Sequence, residues 1–207
     1  MIHDNGNLLC VIDTETTGLN PMYHSIWQFA CVPLDFRLDP HPTIGPIELI
    51  LQPVHKTFDR KAISQTNFDR AMTTGMDSCV AGELFNEWFE RLPIGHMKRI
   101  SVLGQNWPFD REFVKAWLGH ENFHYYFDGR FRDTMALAMA ISDSQDFNAE
   151  KRTFYRLNLR TLANQLGIHW DTMSAHNALY DAYKTAEVYK KMVNILEFIG
   201  GGSRLEH

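Results

Sequence analysis

Five consecutive apolar residues, Leu8 to Ile12, end abruptly in Asp13-Thr14-Glu15, and that junction constrains the chain more than any other stretch. A short, continuous apolar run closed by small polar residues reads as a strand buried on both faces. Side chains alternate along a strand, so Asp13 and Glu15 point to one side and Thr14 to the other. Two carboxylates on the same side of a buried strand end repel each other. They call for a compensating cation, and a hard divalent metal suits oxygen ligands. Taken alone, Asp-x-Glu is also what a solvated strand end looks like, so the weight falls on the rest of the chain.

The residues that follow alternate in character. Thr17-Gly18 and Asn20-Pro21 mark a turn. Ser25 to Leu34 is aromatic and β-branched and predicts a second strand, and Ile47 to Leu51 a third, so the chain opens as a meander. Cys79 to Leu92 carries Val80, Leu84, Phe85, Trp88, Phe89 and Leu92 at helical spacing. Ile100 to Leu103 predicts a short buried strand. After it, Asn106 is placed to cap a helix that holds Pro108 in its first turn and runs to Leu118, stopping at Gly119. Phe123 to Phe127 is expected as a strand, Asp133 to Ile141 as an apolar helix, Ser142 to Arg156 as loop, and Leu159 to Leu166 as a short helix. A long amphipathic helix is expected from about Asn177 to Ile199. Strands first, then helices alternating with strands, predict an α/β fold: one mixed five-stranded sheet flanked by helices. Residues 1–199 read as a single domain. Residues 200–207 read as a tail whose last three, Leu205-Glu206-His207, resemble a vector-derived tag.

Composition removes several classes. No apolar run approaches a membrane span, and the polar start Met1 to Gly6 has no basic leader, so the expected location is cytoplasmic and no membrane partner is expected. The three cysteines, Cys10, Cys31 and Cys79, show no zinc-type spacing. A net charge of −5 argues against a protein built to coat nucleic acid. It leaves room for an enzyme that grips a few nucleotides around metal ions, which reverse the local sign.

Further carboxylates stand at element starts. Asp110 lies in the first turn of a helix after a short strand, and Asp133 reads as a helix-start residue. Asp181 sits within the last helix between Leu179 and Ala182, where an unpartnered aspartate is costly. These positions fall inside longer patterns. Asp13-Thr14-Glu15-Thr16-Thr17-Gly18-Leu19 resembles the first motif of the DEDD superfamily of 3′–5′ exonucleases, Asn106-x-x-Phe109-Asp110 the second, and His176-Asn177-Ala178-Leu179-Tyr180-Asp181 the third, in its histidine form. Ile26-Trp27-Gln28-Phe29-Ala30, Asp133-Thr134 and the run Leu159 to Ile168 add matches, so the resemblance to DnaQ-like exonucleases spans residues 8 to about 193.

The resemblance implies a ribonuclease H-like fold, with Asp13, Glu15, Asp110 and Asp181 as ligands of two divalent cations, Mg²⁺ or Mn²⁺, and His176 as general base. It further implies Thr14, Glu15, Thr17, Leu19, Asn106 and His176 as contacts to a single-stranded 3′ end of DNA or RNA. Phosphodiester hydrolysis by two ions fits an oxygen-only donor set, and an imidazole is suited to take a proton near neutral pH. Five residues separate His176 from Asp181, which on one helix would set them roughly 140° apart. His176 is therefore expected in the loop before the last helix. Trp107 could stack on a base or pack under its loop. Other readings of the same residues are an RNA-trimming or oligoribonucleotide-degrading enzyme and a non-catalytic nucleic-acid-binding scaffold. A free-standing enzyme, a homodimer and a subunit beside a polymerase are all compatible with the pattern.

Overall fold

The computed structural model describes residues 6–63, 68–145 and 153–199. The expected tail and tag, residues 200–207, lie outside the described residues. Five strands form one sheet in the order β3-β2-β1-β4-β5: β1 (Leu8–Thr16), β2 (Ile26–Pro33), β3 (Ile47–Ile50), β4 (Ile100–Gly104) and β5 (Phe127–Asp133). β1, β2 and β3 pair antiparallel as the expected meander, while β4 and β5 run parallel to β1. The mixed sheet of the sequence reading is therefore present.

β1 is central and buried on both faces, which is why it reads as an unbroken apolar run. Leu8, Cys10 and Ile12 enter one core and Leu9 and Val11 the other. The first core is closed by α3 (Ser78–Glu90), α4 (Trp107–Leu118) and α5 (His120–Tyr126). Phe85 is its aromatic hub, with ring centroids of Phe29, Tyr126 and Phe127 at 5.4, 5.1 and 5.9 Å. Such pairs add roughly 0.5–1.5 kcal/mol each beyond their buried area. The second core is closed by the small residues Ala178, Ala182 and Ala186 of α8 (Ala178–Ile199). Alanines every four residues let that helix approach the strands closely. α6 (Thr134–Gln145) and α7 (Leu159–Gln165) pack on α8 away from the sheet, and α1 (Arg60–Ile63) and α2 (Phe68–Thr74) lie near the β3 edge.

Three expectations change. Phe123 lies in α5, not in a strand, and the edge strand begins only at Phe127. Phe123 and Tyr126, three apart on the helix, enter one core, and Phe127 follows them into it from the start of the strand. The strand expected to end at Phe127 runs on to Asp133, and within it Asp128 Oδ1 accepts from the Arg130 N–H and Nε, each at 2.9 Å. α6 does not stop at Ile141 but continues to Gln145; Ser142 is buried and its hydroxyl accepts from Phe154 N at 3.3 Å. Trp107 packs under its loop, 2% exposed, rather than standing out to meet a base.

The parallel register pairs Leu8 to Val11 with Ile100 to Leu103. β4 ends at Gly104, so Asp13 and Glu15 lie beyond its end, toward the carboxyl end of β1. β1 changes there from a parallel to an antiparallel neighbour, the kind of position where open α/β sheets bind ligands.

Candidate active site

Asp13 and Glu15 leave β1 on the α8 side, following Leu9 and Val11, and Thr14 leaves on the α4 side, as strand alternation requires. Thr14 is the link to Asp110. Its hydroxyl donates to Asp110 Oδ1 at 2.6 Å and its backbone N–H to the same oxygen at 3.1 Å. Asp110 is 5% exposed in the first turn of α4. Thr14→Val, which keeps the shape and removes the hydroxyl, is expected to cut turnover about tenfold, the scale for losing a group that orients a ligand. Thr14→Ser should retain activity. Wild-type turnover in Thr14→Val would show that Asp110 needs no such support.

Two left-handed residues lead into the helices that carry the remaining acids. Asn106 has φ 63° and His176 φ 61°. Non-glycine residues in this region are uncommon, and strain of this kind gathers at functional sites. Asn106 stands at the start of α4, yet its side chain makes no capping bond and is exposed. The cap comes from elsewhere: Asp133 Oδ2 accepts from Trp107 N at 2.6 Å, while its Oδ1 accepts from Met135 N at 2.8 Å. Asp133 thus starts α6, as expected, and also fixes the start of α4. The second task was hidden in the sequence, because it joins positions 26 residues apart.

His176 sits in the loop before α8, as the helix geometry demanded, and is exposed. Asn177 caps α8 through its Oδ1, which accepts from Tyr180 N at 3.0 Å. Among the described residues, Glu15, His176 and Asp181 offer ligand atoms that all lie within 4.8 Å of one another. Asp13 and Asp110 stand outside that trio, but the Asp110 charge raises Glu15, and Asp110, Asp181 and Glu15 raise Asp13.

Burial pushes all four acids upward, and for Asp13 and Glu15 the charges of others among them add to it. Asp13 is raised well above the usual carboxylate range by burial, then by Asp110, Asp181 and Glu15. Burial, then Asp181 and Asp110, pushes Glu15 to about 8. Burial brings Asp110 to about 7 against the lowering effect of the Thr14 bonds, and Asp181 to about 7 against that of a bond from the His176 backbone. Asp181 Oδ1 is buried and has no hydrogen-bond partner. An orphaned carboxylate oxygen beside three more acids is the environment a divalent cation relieves. Oxygen donors of this kind fit Mg²⁺ or Mn²⁺.

A pH dependence follows. Each of these carboxyls keeps its proton to higher pH in the fold than in the unfolded chain. As pH rises from about 4 the unfolded chain ionises first, so stability falls through the window that ends near 8, where Glu15 titrates. In chelator, the melting temperature should fall from about pH 5 to about pH 8.5, and added Mg²⁺ should raise it more at the alkaline end. A chelated protein whose melting temperature rises across that range would contradict this account of the site.

The remaining expected contacts divide. Leu19 is 76% exposed beyond the turn, and Asn106 is exposed at the start of α4, so both are accessible. Thr17 is not. It is fully buried; its hydroxyl donates to Thr57 O at 3.2 Å and accepts from Ser25 N at 3.0 Å, its N–H donates to Ser25 O, and its carbonyl accepts from Asp59 N. Backbone or hydroxyl contacts are expected from Thr14 and Thr17; in this structure both hydroxyls make hydrogen bonds inside the protein. A Cβ at Gly18 would clash with the half-buried His24 ring, so a larger residue there needs that ring to move.

The chain matches the exonuclease family over residues 10–189. Ribonuclease T of Baumannia cicadellinicola is 26% identical over 216 residues, covering 94% of this chain and 87% of that protein. Among solved structures, cell-death related nuclease 4 superposes with a TM-score of 0.70 at 17% identity, covering 91% of this chain and 64% of the other. The zinc-bound complex of E. coli exonuclease I with single-stranded DNA superposes with a TM-score of 0.67 at 18% identity, covering 91% of this chain and 41% of the other.

Proposed function

The chain belongs to the exonuclease family, and from that premise we propose a metal-dependent enzyme that trims single-stranded nucleic acid from its 3′ end, releasing nucleoside 5′-monophosphates. Asp13, Glu15, Asp110 and Asp181 would hold two divalent cations, Mg²⁺ or Mn²⁺. The observation that carries the reading is the buried, partnerless Asp181 Oδ1 in a group of four acids, the other three of which raise Asp13. When bound, such ions would lower the pKa of an attacking water and stabilise charge on the phosphoryl and leaving oxygens.

The chain's own groups supply the rest. The His176 ring lies against Glu15 and Asp181 and is open to solvent. It can take the proton of an attacking water and pass it outward, the work of a general base. Thr14 keeps one Asp110 oxygen fixed, so that carboxylate needs no reorganisation as charge develops. Leu19 offers an apolar edge to a terminal base, and the Asn106 amide, free of capping duty, can meet the adjacent strand.

The name of one relative and the bound strand of one structural neighbour point to RNA and single-stranded DNA respectively. An RNA-trimming role fits the site as well as a DNA role. Both are tested by incubating 5′-labelled single-stranded DNA and RNA with Mg²⁺, with Mn²⁺ and with chelator. Stepwise shortening from the unlabelled end, in metal only, is the expected result. No shortening of either substrate in either metal would remove the exonuclease reading.

A further inference from the structure

Gln28 faces Glu15 across the β1–β2 register and is 1% exposed. A buried amide must satisfy both ends. Its Nε2 donates to Glu48 Oε1 at 2.6 Å, and its Oε1 accepts from the backbone N–H of Ala178 at 3.2 Å. Ala178 is the first residue of α8. The first N–H groups of a helix have no partner within it. Asn177 Oδ1 takes that of Tyr180 and Asn177 O that of Asp181. The Ala178 N–H is taken from outside the helix, by a strand 150 residues away.

One amide therefore ties the strand pair that carries Glu15 to the start of the helix that carries Asp181. Asp181 is three residues beyond the bond, less than one turn, and His176 two residues before it. Glu48 and Ala178 select the same orientation of the amide. A carboxylate oxygen only accepts and a backbone N–H only donates, so the NH₂ turns to Glu48 and the carbonyl to Ala178. Without Glu48 the amide loses one of the two partners that hold it this way.

We propose that Gln28, oriented by Glu48, is a positioning residue that sets His176 and Asp181 against Glu15. The effect on turnover rests on the exonuclease reading; the effect on the helix start does not. Three full-length variants test it: Gln28→Met, which keeps the length and loses both bonds; Gln28→Glu, which opposes two carboxylates; and the double variant Gln28→Glu with Glu48→Gln, which reverses the donor and acceptor and restores both bonds. Amide hydrogen exchange at Ala178 and the kcat and KM on a labelled oligonucleotide are measured for each.

Gln28→Met should speed exchange at Ala178 and lower kcat by about 10–100-fold, the usual cost of removing a group that orients a ligand, with KM little changed. The double variant should regain most of the protection at Ala178 lost in Gln28→Glu, though its carboxylate still faces Glu15. Wild-type kcat and protection in Gln28→Met, or a double variant with no more protection at Ala178 than Gln28→Glu, would overturn the proposal. If the wild-type protein degrades nothing, the exonuclease reading fails, and exchange at Ala178 across the three variants still decides whether Gln28 fixes the helix start.

Discussion

Replacing Asp13 with asparagine should slow degradation of a labelled oligonucleotide by about 10³-fold, the scale of losing a positioned charge in an enclosed site, while raising the melting temperature of the metal-free protein. The two effects share one cause. Asp13 is raised by burial and by all three other acids, so it feels the whole group. Its charge is what a bound cation would need and what the fold without a cation tolerates least. Asparagine keeps the shape and removes the charge, which is the usual trade between stability and activity at such sites. Turnover within tenfold of wild type would exclude Asp13 as a cation ligand. A lower melting temperature in chelator would mean that repulsion does not dominate there.

His176→Asn should lower kcat by about 10²–10⁴-fold, the range of a general base, while leaving Mn²⁺ affinity close to wild type. Asparagine is the informative choice because position 176 has φ 61°. Alanine there would add backbone strain to the loss of the ring, whereas asparagine tolerates the conformation. The Mn²⁺ measurement separates two roles. His176 lies close enough to Glu15 and Asp181 to join a donor set. A large loss of Mn²⁺ affinity in His176→Asn would make it a ligand rather than a base.

Much of this site could be read from the sequence because its parts are local. Strand alternation is enough to send Asp13 and Glu15 one way and Thr14 the other. The five-residue spacing is enough to expel His176 from α8. What stayed hidden depends on contacts between distant elements. That Thr14 grips Asp110 joins positions 96 residues apart; that Asp133 caps α4 and Thr17 staples its turn to Thr57 and Asp59 also needs the fold. The helix at 120–126 was missed because aromatic residues suit strands as well, and only their shared burial on one core shows the helical spacing.

The left-handed backbone at His176 has a consequence for protein engineering. Glycine occupies φ near 60° at no steric cost, so a selection for heat resistance alone would be drawn toward glycine there, whereas asparagine at 106 already suits that conformation. The substitution at 176 removes the ring beside Glu15 and Asp181. A library built to harden this protein should hold that codon fixed, because the gain it would collect there comes from giving up that ring.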